Sequence, residues 1–248
     1  VEGVEAWAHW PGIEIHKESG FVWTMSHVPF FVFNSVVQAR STADLVETTI
    51  EKILSQAKAR NVALASWIVP STQPPDFGNR LKAVGFARTA DVWGMAADLR
   101  MLDEKQPKPE GLAVSRVGDL RALRAWSQLI DSVNDFSDFV AEAWFEIHKA
   151  MGVDEGLPWI HYIANLDGRP VAASSRFLGA GVAGIHSVAN LPEARRQGIG
   201  AAVTLEPLLE ARRLGYRIGT LFSSKMAVEI YRKLGFKDYC VGSIYLRK

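Results

Sequence analysis

The sequence predicts an α/β fold made of two similar lobes. Amphipathic helices alternate with short apolar strands along the chain. The stretches LKAVGF (Leu81 to Phe86) and YRKLGF (Tyr231 to Phe236) follow the same succession of helix and strand, which indicates a diverged internal repeat. The alternative is chance, because helix–glycine–strand units are common in α/β proteins. A charged segment with two prolines at 102–110 predicts the linker between the lobes.

Composition narrows the class of protein. The chain has 248 residues, 48% hydrophobic and 22% charged, which is typical of a globular protein with room for two domains. A net charge of +1 argues against a nucleic-acid partner. The single Cys240 excludes an internal disulfide and a cysteine-based zinc site, so we predict no metal and a reducing, cytoplasmic setting. No apolar run approaches the roughly 20 residues of a membrane span, and the N-terminal stretch lacks a basic signal-peptide region, so we expect no membrane partner.

The first lobe is predicted to span 1–101. A helix from Thr42 to Arg60 is indicated by an apolar stripe at helical spacing. The stripe consists of Val46, Ile50, Ile53, Leu54 and Ala57. A strand, ALASWIV, and a short helix closed by a glycine follow, and we predict an apolar strand pair after that glycine.

The second lobe is predicted to span 111–248. GLAVSRV indicates a strand, and residues 119–151 indicate two helices broken near NDFSD. Asp167-Gly168 between two apolar runs predicts a β-hairpin, and GVAGIHSVAN predicts a further strand. The next helix is expected from near Gly198 to near Gly215. Pro207 inside it is expected to kink or shorten that helix. GTLFSS, a short helix and a second apolar strand pair complete the lobe.

The turn EARRQGIGAAV, residues 193–203, predicts a pyrophosphate site. A helix start leaves backbone N–H groups unpaired at the positive end of the helix dipole. Gly198 and Gly200 lack a Cβ, so a phosphate can approach the backbone, and Arg195 and Arg196 add positive charge. The alternative is an ordinary glycine-containing helix start with solvated arginines. A Rossmann fingerprint is excluded because Val203 stands where a small third residue is needed, and no Gly-Lys-Ser/Thr follows as a Walker loop requires.

Together, RRQGIGAAV and the downstream SSKMAVEIYRKLGF resemble the GNAT superfamily of acetyl-CoA-dependent N-acetyltransferases. The family signature Q/R-x-x-G-x-G/A matches at Arg195, Gly198 and Gly200, and its tyrosine five residues before a Gly-Phe pair matches at Tyr231. The resemblance covers most of 111–248 and implies, for each lobe, a mixed, mostly antiparallel sheet flanked by helices. It implies transfer of an acetyl group from acetyl-CoA, as co-substrate, to a small-molecule or peptide amine by direct attack. The alternative function is a non-catalytic acyl-CoA-binding sensor or scaffold module. The first lobe resembles a degenerate copy, since Leu81 matches Tyr231 and no glycine turn is present.

The resemblance also implies site residues. By this resemblance, the backbone from Val188 to Asn190 pairs with the pantetheine arm, and the N–H of Val188 polarises the thioester carbonyl. The backbone N–H groups from Arg196 to Ala201 hold the pyrophosphate. The implied cofactor-binding residues are Val188, Ala189, Asn190, Arg195, Arg196, Gln197, Gly198, Ile199, Gly200, Ala201 and Ser224. Ser224 replaces an asparagine common in the family, which leaves that contact open. Tyr231 is the implied acid that protonates the leaving thiolate, and its alternative is a core aromatic.

The general base and the acceptor site depart from the family pattern. The family's glutamate position falls on Gly184, so His186, two residues on and on the same side of the strand, is the candidate base. A packed or surface histidine is the alternative. The loop Ser132 to Phe139 is implied to bind the acceptor. Its candidates are Asp135, Asp138, Phe136 and Phe139, although the two aspartates could equally be helix caps. The acceptor, the acyl length and the choice between monomer and homodimer stay open.

Overall fold

The computed structural model describes residues 2–247, which form two compact units. Unit 1 contains residues 3–92 and 240–247, and unit 2 contains Glu2 and residues 93–239. Each unit therefore takes its last strand from the other half of the sequence. The predicted boundaries 1–101, 102–110 and 111–248 stay a prediction, but these two units do not follow them.

Unit 1 is built mainly from the first half of the chain. Its elements are α1 (Glu2–Glu5), β1 (Ile13–Glu18), β2 (Phe21–Ser26), β3 (Ser35–Ala39), α2 (Ala43–Arg60), β4 (Leu64–Ile68), α3 (Phe77–Ala83) and, from the end of the chain, β11 (Lys237–Arg247). Short 3-10 turns occur at Ala6–His9 and Phe31–Phe33. The strands follow the order β1-β2-β3-β4-β11, in which only β3 and β4 are parallel.

The predicted helix of unit 1 is confirmed as α2, and its apolar stripe forms the core. Four of the five predicted positions are buried and Leu54 is partly buried. They pack against Phe21 and Trp23 of β2 and against Leu81 of α3. Asn61, in the left-handed conformation, closes the helix, because this conformation lets its N–H bond back to the last turn.

Unit 2 carries the remaining elements, except that residues 87–92 of β5 belong to unit 1, and it also contains residues 237–239 of β11. They are β5 (Ala87–Asp98), β6 (Leu112–Arg116), α4 (Leu120–Asn134), α5 (Asp138–Met151), β7 (Trp159–Leu166), β8 (Arg169–Gly179), β9 (Val182–Asn190), α6 (Ile199–Arg213), β10 (Ile218–Ser223) and α7 (Val228–Lys233). Short 3-10 turns occur at Leu99–Met101 and Pro192–Ala194. The strands follow the order β5-β10-β9-β8-β7-β6, in which only β9 and β10 are parallel. The mixed, mostly antiparallel sheets flanked by helices confirm the predicted fold class.

Most element predictions for the second half are confirmed. The hairpin β7–β8 turns at Asp167 and Gly168, both with positive φ, as the two-residue turn requires. The strand pair expected after each short helix is wrong. Instead of a pair, one long strand without a turn follows each short helix: β5 after α3 and β11 after α7. Gly94 stays in the ladder opposite Phe222, so the glycine in this run does not open a turn.

Pro207 does not shorten α6, which continues through it to Arg213. A proline leaves the carbonyl four residues earlier without its helical donor. Here that carbonyl belongs to Val203, and it accepts a hydrogen bond from Ser174 Oγ of β8 at 2.7 Å. A strand hydroxyl thus replaces the bond that the proline removes.

Across residues 2–247, every helix is too short or too polar to cross a lipid bilayer.

Candidate active site

The two parallel strands of unit 2 separate part-way along their length. β9 and β10 pair from Ala183 to Ile185 and from Gly219 to Leu221. Beyond that point the last residues of β10 pair with β5, and β9 pairs with β8. Since the described part of the sheet has no further rung between β9 and β10, a wedge opens between them toward the end of β9.

A β-bulge lies in β9 at this wedge. Ser187 has a φ of 50°, and the register against β8 shifts between Ala173 and Ser175. A bulge takes a residue out of the ladder and re-aims the neighbouring backbone. The half-buried Val188 follows directly and packs its side chain among the residues around α6. The bulge therefore sets the direction of the Val188 peptide at the mouth of the wedge.

The predicted phosphate turn follows β9 and leads into α6. Arg196 and Gly198 both adopt positive φ, 62° and 81°, and α6 begins at Ile199. No side chain caps the helix at Gly198, its N-cap residue. The first helical hydrogen bond runs from the N–H of Ala202 to the Gly198 carbonyl at 3.0 Å. The Arg195 and Arg196 side chains lie exposed beside this positive end of the helix.

The two glycines of the turn face different neighbours. A Cβ on Gly198 would lie 1.9 Å from the Pro107 carbonyl oxygen, so the segment 102–110 passes directly over this residue. The protein's own backbone therefore requires glycine at 198. A Cβ on Gly200 would instead lie 2.9 Å from a terminal atom of the Asn190 side chain. Only at Gly200 is the neighbour a side chain that can move.

Asn190, the last residue of β9, already occupies one amide of the turn. The side-chain orientation that satisfies both ends has Oδ1 accepting from the Gly200 N–H at 3.1 Å and Nδ2 donating to the Ala189 carbonyl at 3.0 Å. Any anion that binds the Gly200 N–H must first displace this contact.

Tyr231 lies on α7 in the core beside α6. Its side chain is only 6% exposed and its ring packs against Phe236 at 6.1 Å between centroids. Burial raises the pKa of Tyr231 to about 12, although a hydrogen bond with the Thr204 side chain lowers it in part. Thr204 in turn donates to the Gly200 carbonyl at 2.8 Å. The phenol is therefore protonated at neutral pH and lies one side chain away from the turn.

His186 lies at the wedge on the same side of β9 as Gly184. Its Nε2 is 2.8 Å from where a Cβ on Gly184 would stand, so the imidazole occupies the space of the missing side chain. The residue is exposed, and its ring lies 4.9 Å from that of Trp159 between centroids, tilted by 52°. Desolvation lowers the pKa of His186 to about 4, so the ring is neutral at physiological pH. A neutral imidazole can accept a proton, but only weakly at that pKa.

The predicted acceptor loop contains structural residues. Asp135 is the left-handed C-cap of α4, and α5 begins at Asp138. Phe136 packs its ring against Trp144 at 6.0 Å. Phe139 is 60% exposed and is the loop aromatic that faces solvent.

Ser224 lies exposed in the turn between β10 and α7. Its carbonyl accepts from the Ser223 hydroxyl at 2.8 Å and from the Ala227 N–H at 3.1 Å, which shapes the start of α7.

Sequence reasoning missed a buried histidine pair between α5 and β7. The rings of His148 and His161 lie 4.8 Å apart, and both contact Trp126. Ser175 Oγ bonds His161 Nδ1 at 2.8 Å, whereas both ring nitrogens of His148 lack a partner among the described residues. Burial lowers the pKa of His161 to about 3 and that of His148 well below its usual value. The available signal was the position of His148, four residues after Trp144, on the apolar stripe of α5.

Within the described part of the chain, no group of three or more histidine, cysteine, aspartate or glutamate side chains is arranged to hold a metal ion.

Comparison with known proteins agrees with the geometry of unit 2. Residues 158–238 match the sequence model of the family described as the acetyltransferase (GNAT) domain. These residues run from just before β7 to the first residues of β11, and so include the wedge, the turn and Tyr231. No curated protein matches the sequence.

Solved structures resemble the whole chain. A GCN5-related N-acetyltransferase from Kribbella flavida has a TM-score of 0.75 at 18% identity, with 98% of this chain and 91% of that chain covered. A GCN5-related N-acetyltransferase from Sphaerobacter thermophilus has a TM-score of 0.65 at 18% identity, with coverage of 92% and 80%. A tandem GNAT protein from the clavulanic acid biosynthesis pathway has a TM-score of 0.65 at 15% identity, with coverage of 96% and 83%.

At these identities the structural likeness establishes the fold, and the family match covers the segment that holds the site. Residues 158–238 therefore match the acetyltransferase (GNAT) domain, and the chain has the fold of the GCN5-related N-acetyltransferases.

Proposed function

We propose that the protein transfers an acetyl group from acetyl-CoA to a primary amine of a small molecule or peptide. The observation that carries this proposal is the wedge between β9 and β10, which leads into a helix start whose N-cap residue, Gly198, has no side chain. A wedge of this kind offers strand backbone to an extended pantetheine arm, and the helix start offers N–H groups and a positive dipole to a diphosphate.

The proposed donor contacts follow the chain through this region. The backbone from Val188 to Asn190 binds the pantetheine arm, and the Val188 N–H polarises the thioester carbonyl. The N–H groups from Arg196 to Ala201 bind the diphosphate, with the exposed guanidinium of Arg195 and the side chain of Gln197 beside them. Ser224, exposed before α7, contributes a hydroxyl at the far side of the wedge.

The proposed reaction is direct attack. The amine nitrogen forms a bond to the acetyl carbon, the carbon–sulfur bond breaks, and the sulfur leaves as a thiolate. The nitrogen loses one proton and the sulfur ends with one, so the step balances without a covalent enzyme intermediate. His186 or solvent accepts the nitrogen's proton. Cys240 lies in β11, in unit 1, and has no role.

The raised pKa of Tyr231 limits what its phenol can do. A thiol has an ordinary pKa near 8.5, so full proton transfer from a phenol of pKa about 12 is uphill by roughly 5 kcal/mol. We therefore assign Tyr231 the role of a hydrogen-bond donor to the departing sulfur, which becomes stronger as negative charge develops. The proton that finally neutralises the thiolate comes from the amine through solvent.

The acceptor is proposed to enter past the loop of Asp135, Phe136 and Phe139. Of these, Phe139 is the most exposed aromatic, and Asp135 supplies an exposed carboxylate for a cationic amine. Unit 1 is proposed as a non-catalytic lobe, because Leu81 stands where Tyr231 stands in unit 2 and no glycine turn precedes α2. We expect a cytoplasmic monomer or homodimer.

The test is thiol release from acetyl-CoA with a broad panel of amines, measured on the parent, Tyr231→Phe and Tyr239→Phe. Tyr239 is 74% exposed and serves as the matched control. We expect Tyr231→Phe to lower turnover about 100-fold while CoA affinity stays within about twofold. Equal turnover in the parent and Tyr231→Phe would contradict the assigned role.

A second candidate function is a non-catalytic acyl-CoA-binding module. The observations that favour it are the absence of a carboxylate at Gly184 and the lowered pKa of His186. Tight CoA binding without turnover on any amine of the panel would support this module over the enzyme.

A further inference from the structure

We propose that Asn190 is a built-in competitor for the diphosphate, a neutral plug on the Gly200 N–H that the bound cofactor must displace. The inference rests on the proposed function, because it concerns the same turn. It adds that the chain's own side chain sets the affinity of this turn for ligands that carry a diphosphate.

The contacts hold the Asn190 side chain at both ends. Oδ1 accepts from the Gly200 N–H at 3.1 Å, and Nδ2 donates to the Ala189 carbonyl at 3.0 Å. Asn190 is half-buried and ends β9, whereas Gly200 lies in the first turn of α6. The plug therefore bridges the strand that is proposed to bind pantetheine and the helix that is proposed to bind the diphosphate.

The packing at Gly200 is explained by this plug. A Cβ there would stand 2.9 Å from a terminal atom of the Asn190 side chain and 3.7 Å from its Cγ. The missing side chain at Gly200 makes room for the side chain of Asn190. The same space becomes available to a phosphate oxygen only when Asn190 rotates away.

The plug is weaker than the ligand it imitates. The N-terminus of a helix favours negative charge, and an amide oxygen carries only a partial charge. A diphosphate therefore replaces Asn190, but the lost amide contacts reduce its apparent affinity. A neutral hydrogen bond contributes a net stabilisation of about 0.5–1.5 kcal/mol, which corresponds to roughly 2- to 12-fold in affinity.

Two substitutions have opposite expected effects. Asn190→Ala removes the plug, so we expect the dissociation constant for CoA to fall roughly 2- to 12-fold. Asn190→Asp keeps an acceptor for the Gly200 N–H but makes it anionic, so it holds the helix start more firmly and repels the diphosphate. For Asn190→Asp we expect the dissociation constant for CoA to rise at least about 10-fold at low ionic strength.

The readout that separates a competitor from a structural residue is the melting temperature of the ligand-free protein. Removal of the cap in Asn190→Ala is expected to lower this temperature while CoA binding becomes tighter. If Asn190 had a purely structural role, Asn190→Ala would lower the melting temperature and also weaken CoA binding. Asn190→Asp, which retains the cap, is expected to fold even where Asn190→Ala proves too unstable.

The experiment uses the full chain and isothermal titration with CoA and with pantetheine, which has no phosphate. Asn79→Asp, an exposed asparagine of α3, controls for the added charge. Support requires tighter CoA binding by Asn190→Ala, weaker binding by Asn190→Asp, and no change in pantetheine binding beyond about twofold. Weaker or unchanged CoA binding by Asn190→Ala overturns the inference, since it means that Asn190 assists the diphosphate or is indifferent to it.

Different results would contradict the role of Asn190 and the proposed function. If the parent binds CoA but the Asn190 variants do not differ, only the role of Asn190 is wrong. If neither the parent nor Asn190→Ala binds CoA at millimolar concentration, the proposed function fails and the inference fails with it.

Discussion

The starts of α2 in unit 1 and α6 in unit 2 occupy equivalent places in the same topology. Each helix follows a strand and leads into a parallel neighbour of that strand, β3 and β4 in one case and β9 and β10 in the other. At α2 the N-cap is Thr42 with extended backbone, whereas at α6 it is Gly198 with a φ of 81°. The topology is thus shared, and the difference lies in the few residues that determine whether a helix start is open to an anion.

The second difference lies one helix later. Leu81 of α3 and Tyr231 of α7 are both buried in their cores, at 1% and 6% exposure. The tyrosine adds a hydroxyl at a position that otherwise accepts an apolar side chain. The proposed function therefore depends on local substitutions within a repeated fold rather than on the fold itself.

The largest expected difference between the units is their response to acid. Among the described residues, the fully buried histidines are His148 and His161 of unit 2. Burial lowers the folded-state pKa of His161 to about 3, so the unfolded chain binds a proton below pH 6.5 that the folded chain refuses. Stability is fully present above pH 6.5 and falls as the pH drops from 6.5 toward 3.

For His161 alone we expect a loss of roughly 2–3 kcal/mol in the free energy of unfolding between pH 6.5 and 4.5. Asp131, whose pKa burial raises to about 6, acts in the opposite direction over this range and offsets part of the loss. Urea unfolding at several pH values measures the slope. His161→Asn keeps a polar atom near Ser175 but does not titrate, so its slope should be flatter. An unchanged slope would contradict the prediction.

The substitution Gly198→Ala tests whether the start of α6 requires glycine. The new Cβ would collide with the Pro107 carbonyl oxygen and would force a positive φ on a non-glycine residue. We expect the free energy of unfolding to fall by about 3 kcal/mol and CoA binding to weaken with it.

The matched change in unit 1 is Thr42→Ala, at an N-cap whose side chain makes no capping hydrogen bond. It should cost less than about 1 kcal/mol. Chemical denaturation measures the free energy of unfolding of both variants. Equal losses in Gly198→Ala and Thr42→Ala would contradict the proposed difference between the two helix starts.

The smallest expected loss of stability concerns a difference between the two helices, since α6 contains Pro207 and α2 contains no proline. Ser174→Ala removes the donor to the Val203 carbonyl and leaves that buried carbonyl unpaired. We expect a loss of about 1–2 kcal/mol, read as a lower melting temperature. Ser115→Ala, at an exposed serine of β6, is the control and should leave the melting temperature unchanged.

The sequence predicted features whose causes are local. Asp167 and Gly168 specify their own turn, and the stripe of α2 specifies its own buried face, so both were confirmed. Contacts between distant positions carry no such local mark. Nothing near Gly198 in the sequence indicates Pro107, and nothing in Asn190 indicates Gly200 as its partner.

Strand partners were unpredictable for a related reason. The apolar residues of β5 and β11 indicate extended backbone but not which strand lies alongside. Each of these long strands was predicted as a pair of shorter strands, because a run of 11 or 12 residues exceeds the usual strand length. The histidines buried beside Trp126 gave no motif, since an isolated histidine on an apolar stripe has many possible environments.

The exchange of last strands has a consequence for how this protein can be divided. A gene cut in the segment 102–110 would yield one fragment without β11 to pair with β4 and another without β5 to pair with β10. Each fragment would expose strand edges to water and would tend to aggregate when produced alone. Co-production of both fragments would restore the missing strand pairs, so the two halves of the polypeptide depend on each other to fold even though they repeat one topology.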